Sequence, residues 1–112
     1  MSEGWLWFGA SGTSYKFSVF DLRVQWNKVG GIYVMAQRTY MAGSSVRALY
    51  IGRTNDFSIR MPQHEKWPDA LFYGANEVHA MVVSTAEVRS RIEEDLIVGQ
   101  APILNEQLVH RY

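Results

Sequence analysis

Gly30-Gly31-Ile32-Tyr33-Val34-Met35-Ala36 and Val46-Arg47-Ala48-Leu49-Tyr50-Ile51-Gly52 decide the fold of this chain. Each is a short apolar run that sets a tyrosine beside a glycine, and the β-branched and aromatic content reads as a strand. Side chains alternate faces along a strand. Ile32 and Val34 therefore share one face and leave Tyr33 on the other, while Leu49 and Ile51 share one face and leave Tyr50 on the other. Paired as an antiparallel hairpin across a Gln37–Ser45 loop that contains Gly43, the strands put both tyrosines on one side of a sheet, the less apolar one.

The flanking segments read more locally. Trp5–Phe8, a Gly9-Ala10-Ser11-Gly12 turn and Tyr15–Phe20 predict an N-terminal β-hairpin, with Asp21–Lys28 as a connector. Thr54–Trp67 reads as a helix with Thr54 or Asn55 as cap, and Pro62, lacking an N–H, breaks or kinks it. Pro68–Ala75 predicts a second short helix and Glu77–Val83 a strand. Ser84 followed by Glu87 matches a capping box, so a helix is expected over Thr85–Val98, with Val88, Ile92 and Leu96 as its buried stripe. Gly99 is the expected stop and Pro102 prevents resumption.

The chain has 112 residues, enough for one domain, and 47% of them are hydrophobic, which argues against a disordered chain. No apolar run approaches the ~18 residues of a membrane span. Met1-Ser2-Glu3-Gly4-Trp5 lacks the basic start and apolar stretch of a secretory signal, so a cytoplasmic location is expected. Cysteine is absent, which excludes disulfides and thiolate metal sites. Eleven basic residues cancel eleven acidic ones, whereas nucleic-acid binders usually carry a basic excess. The asymmetry is local: four arginines (38, 47, 53, 60) face one acid, Asp56, between Arg38 and Arg60, while Glu87, Glu93, Glu94 and Asp95 gather later. The first stretch is therefore the candidate phosphate-facing region.

Taken together, these residues resemble the GIY-YIG nuclease family. Both namesake triplets stand intact in Gly31-Ile32-Tyr33 and Tyr50-Ile51-Gly52. Arg60 falls where the family keeps its helix arginine, and His64 follows one helical turn later, as in the restriction-enzyme branch. Glu93-Glu94-Asp95-Leu96-Ile97 and Pro102-Ile103-Leu104-Asn105 look like the family's closing helix and its proline–asparagine motif, and that register selects Glu93 over Glu94. The match runs from about Gly30 to Asn105. It implies one α/β domain over 1–112, with a GIY-YIG-like small central antiparallel or mixed sheet flanked by helices (30–105). An extra N-terminal β-hairpin precedes it (1–29).

The resemblance further implies a divalent-metal-dependent endonuclease that cuts one strand per active site, on DNA in preference to RNA. Its catalytic residues would be Tyr33, Tyr50, Arg60, His64, Glu93 and Asn105. Glu93 would hold Mg²⁺ or Mn²⁺, which suits a single carboxylate plus waters. Arg60 offers a planar fork matched to phosphate oxygens. Tyr33 would stand near the attacking water as general base, with Tyr50 and His64 holding phosphate or relaying the proton. All three are candidates for the group that finally takes it. Asn105 would brace the site. The residues also admit plainer roles: Glu93 as an i, i+4 partner of Arg89, Glu94 and Asp95 as partners of Arg91, and Asn105 as turn chemistry. His79 and His110 make no histidine metal motif with His64. The alternative function is a nucleic-acid-binding module on the same fold that does not cut. The aromatic run Trp5, Trp7 and Phe8 suggests self-association, giving a homodimer through the hairpin.

Overall fold

The computed structural model describes residues 3–41 and 43–105. Strands β1 (Glu3–Phe8), β2 (Ser14–Phe20), β3 (Gly31–Thr39), β4 (Ser45–Thr54) and β5 (Glu77–Val82) form one sheet in the order β1-β2-β5-β3-β4, and every pairing is antiparallel. Among the described residues three helices, α1 (Phe57–Arg60), α2 (Trp67–Phe72) and α3 (Ala86–Gln100), and a 3-10 turn (Ile103–Asn105) complete an α/β architecture. Among the described residues no helix is long and apolar enough to cross a membrane. His110 lies outside the described residues.

The two tyrosine-bearing strands pair as expected, with Tyr33 opposite Gly52 and Met35 opposite Tyr50. Sequence order alone does not show where β5 goes. It inserts between β2 and β3 and pairs with both, so the N-terminal hairpin belongs to the same sheet as the central strands. β2 and β3 then run in the same direction on either side of β5. The connector between them crosses the sheet without regular structure and lays Trp26 against Phe57, ring centroids 5.2 Å apart.

Both faces of the sheet are covered, so the tyrosine side is as apolar as the other. One face packs Ile32, Val34, Ala36, Ile51, Trp7 and Phe17 beneath Leu96 of α3. The other packs Tyr33, Met35, Leu49 and Val78 beneath Phe57, Met61 and Ala70. The expected parity of β4 fails at one point. A bulge shifts the register between Met35 and Ala36 and leaves Leu49 without an opposite residue. The extra residue turns Leu49 onto the Tyr33 face, away from Ile51.

The helices also differ from their sequence expectation. The Thr54–Trp67 helix is one turn only. It is capped by Asp56, not Thr54 or Asn55, and Asp56 accepts from the Ser58 amide at 2.9 Å. It stops at Met61 because Pro62 has no N–H to donate. The capping box at Ser84 does not form. The N-cap is Thr85, so Glu87 falls at the second helical position, one short of where a capping box needs it. Nor does Gly99 end α3, which continues to Gln100 and stops with Ala101 in the left-handed conformation, φ 47°. Gly99 is bare because the Gly9–Ala10 backbone presses against it. The same contact recruits Asp95, which accepts from the Ser11 amide and hydroxyl and from the Tyr15 hydroxyl and so clamps the hairpin turn to α3. No Arg91 pair with Asp95 or Glu94 forms among the described residues.

Both triplet glycines are set by close approach. A Cβ on Gly31 would strike the Met81 carbonyl of β5 and the Phe57 ring, and one on Gly52 would strike the Tyr33 hydroxyl. Since the first obstacle is paired backbone, Gly31→Ala is expected to destabilise the fold by about 3 kcal/mol. A urea midpoint within error of the parent protein would refute this account of Gly31.

Candidate active site

The site grows from a tyrosine buried in a central strand. Tyr33 is 1% exposed, and its hydroxyl meets His64 Nε2 at 2.6 Å. His64 is not one helical turn beyond Arg60 on a continuous helix, as the sequence suggested. It sits in the turn after α1, folded inward by two contacts. The Lys66 amide donates to its Nδ1 at 3.0 Å, and the Trp67 indole donates to the Met61 carbonyl at 2.8 Å. The first of these fixes the tautomer: a neutral ring whose Nδ1 accepts must carry its proton on Nε2. His64 therefore donates to the Tyr33 oxygen.

Tyr50 completes an aromatic triangle, its ring 6.2 Å from Tyr33 and 5.3 Å from His64, with Lys66 Nζ 5.9 Å from its centroid. Arg60 lies on the same side. Its guanidinium is held in a two-pronged ion pair by Glu65, at 2.7 and 3.0 Å. Glu93 reaches in from α3 and pairs with Arg53 of β4 rather than with Arg89. Arg89 instead donates to the Val83 carbonyl. Asn105 stands behind, its side-chain amide accepting from the Ile51 N–H at 2.9 Å and donating to the Ile51 carbonyl at 3.0 Å. β4 is an edge strand, and Asn105 supplies the partner that a further strand would give.

The electrostatics follow from burial opposed by charge. Burial pushes the Tyr33 hydroxyl well above its usual range; ionisation of Tyr50 and the charge of Glu93 add to this and the Arg60 cation opposes it. Tyr50 is raised in the same way, by burial against Arg60. His64 is lowered to about 4, first by burial and then by Arg60. Glu93 is raised by burial even with Arg53 beside it, so its negative charge is only partly compensated. A half-buried carboxylate in that condition, within electrostatic reach of two tyrosines, fits a hard divalent cation that takes one protein ligand and keeps its waters.

Thus the structure gathers Tyr33, Tyr50, Arg60 and His64 directly, brings Glu93 within electrostatic reach, and places Asn105 in support. Not all of the expected phosphate-facing arginines join them. Arg38 is buried on the opposite face in an ion pair with Glu77, at 2.8 Å, and stacks on Trp5. Glu77 in turn binds His79, which accepts from the Trp7 indole. Arg47 donates to Gln37. The sequence reading missed Arg53 and Glu65 as partners in the site. Arg53 was legible from parity, since it follows Ile51 onto the α3 face. Glu65 carried no local signal, because its reach to Arg60 depends on the turn at Pro62.

Comparison of the chain with protein-family models, with curated proteins and with solved structures finds no match.

Two outcomes are expected from this geometry. Because the folded pKa of His64 lies below its usual 6.5, at about 4, its contribution to stability is complete above pH 6.5 and declines as pH falls through 4. The thermal midpoint should therefore drop across that window, and His64→Gln should make the drop shallower; an unchanged profile in the variant would contradict it. Asn105→Ala should strip both Ile51 backbone groups of partners and lower stability by about 2–3 kcal/mol, measurable by urea unfolding.

Proposed function

We propose that this protein is a divalent-metal-dependent endonuclease of the GIY-YIG type, hydrolysing one phosphodiester strand per active site, with DNA favoured over RNA as substrate. The observation that supports this most is the grouping around one buried tyrosine hydroxyl. Residues from β3, β4 and the turn after α1 meet there beside a cation, with a desolvated carboxylate on α3 within electrostatic reach. A purely structural sheet has no need of that combination, whose carboxylate remains undercompensated.

The residues divide the work as follows. Arg60 presents a planar fork to phosphate oxygens. Tyr50, half-buried, donates to a phosphate oxygen. His64 stays neutral at working pH and donates Nε2–H to the Tyr33 oxygen, which offsets part of the burial that holds Tyr33 in its phenol form. The small phenolate fraction of Tyr33, its own proton given up to solvent, then takes the proton of the attacking water, a role His64 Nε2 cannot fill while it carries a proton. Glu93 would hold Mg²⁺ or Mn²⁺. When bound, the ion neutralises charge on the phosphate and on the departing oxygen. Since one domain has one site, a double-strand break needs two nicks or two copies. Leu6 and Phe8, 49% and 52% exposed on the hairpin, are the apolar groups for self-association, whereas Trp7 is committed to the core.

A plasmid-cleavage assay with Mg²⁺ or Mn²⁺ tests the proposal. Glu93→Ala and Arg60→Ala should each abolish cleavage, while Glu94→Ala, at an exposed position, should cut like the parent. Glu93→Ala should also shift the thermal midpoint by less than ~3 °C, since burial already opposes the charge of Glu93 and its half-exposed partner Arg53 stays solvated without it. The rate should climb with pH from about 7 to about 9, as the small phenolate fraction of Tyr33 grows. Equal loss in the Glu93 and Glu94 variants would reject Glu93 as the ligand. Retarded but uncut DNA would favour the non-catalytic binding module.

A further inference from the structure

Both arginines at the site are already occupied. Arg53 is paired with Glu93, and Arg60 with Glu65. The second pair differs from the first in two ways. Glu65 grips Arg60 with both carboxylate oxygens, at 2.7 and 3.0 Å. That is the fork-to-fork geometry in which a guanidinium binds a phosphate. Glu65 is also poorly anchored: its side chain is 64% exposed against 17% for Glu93. Its other neighbour is His64 Nδ1 at 3.8 Å, which already accepts from the Lys66 amide.

We infer that Glu65 is a built-in competitor for the phosphate-binding face of Arg60, so that an incoming phosphate must displace its carboxylate before the site is engaged. This rests on the reading of Arg60 as a phosphate ligand. Glu65 keeps its charge throughout the physiological range, since Arg60 holds its carboxyl down to about 2. Acidification therefore does not open the contact, and a competing anion does. An exposed pair of this kind is weak and salt-sensitive, so displacement is cheap and Glu65 acts as a brake on affinity rather than a block. It also lets the site rest with both its arginines neutralised, consistent with a chain whose net charge is zero.

The test uses inorganic pyrophosphate as the probe, followed through the Arg60 Nε–H resonance by NMR, so that it needs neither nucleic acid nor cleavage. Glu65→Gln keeps the shape but loses the charge. It should tighten pyrophosphate binding by about three- to tenfold at low ionic strength, and the gain should shrink as salt is added. In an Arg60→Ala background, followed through the Lys66 amide, the same substitution should change affinity by less than twofold. Affinity that is unchanged or weakened by Glu65→Gln would overturn the proposal and make Glu65 a residue that positions Arg60. A gain that persists without Arg60 would overturn it too, as a general charge effect. Failure of the plasmid assay alone would reject the nuclease reading and leave this result standing.

Discussion

Strand β3 is buried on both faces from Gly31 to Ala36, and the position of Tyr33 within it constrains everything around the site. A phenol placed there must hide its ring and still pair its hydroxyl, since a buried polar group without a partner costs about 1–3 kcal/mol. Gly52 makes room for the hydroxyl by having no side chain, and His64 satisfies it. His64 in turn arrives only because α1 ends after one turn at Pro62, which lets the chain fold back toward the sheet. The short helix, the glycine and the histidine are thus three consequences of one buried oxygen.

The two faces of the sheet handle charge in different ways. On the α3 side, Arg38, Glu77, His79 and Trp7 form a closed network. Every buried side-chain polar atom among the described residues has a partner. Such a network is costly to open, because losing one member strands another in a low-dielectric interior. Arg60 and Glu65 form a pair that looks similar on paper but stands in water. The same two charge types hold structure in the first case and can exchange partners in the second, and solvent exposure is what separates them.

The edge of β4 shows how one side chain can finish a sheet. Ile51 sits in the edge strand with its N–H and carbonyl turned outward, and the amide of Asn105 satisfies both. This ties the end of α3 and its 3-10 turn to the strand that carries Tyr50 and Arg53. Glu93 is therefore held against β4 from two sides, by its own ion pair and by the anchored C-terminal turn. The bulge at Leu49 works along the same strand, turning one more apolar side chain onto the tyrosine face and packing the floor beneath Tyr50.

The hairpin of β3 and β4, the side-chain parity of its tyrosines, the N-terminal hairpin, α3 and the interruption at Pro62 were legible in the residues. Each follows from alternation, helical spacing or a missing N–H acting over a few neighbours. So was the gathering of Tyr33, Tyr50, Arg60 and His64, through the order of their motifs. The insertion of β5 between β2 and β3, the bulge at Leu49, the partner Glu65 and the pairing of Arg53 with Glu93 were not. Pairing of β5 with both strands joins segments far apart in sequence, and Arg53 meets Glu93 only once β4 and α3 are packed. The capping residue of α3 was missed by one position, and Gly99 was read as a stop when it is a contact with Gly9 and Ala10. In these cases the residue types allow several outcomes of similar local energy. The closed sheet chooses among them, because only there do burial and close approach decide which group has water and which must find a partner.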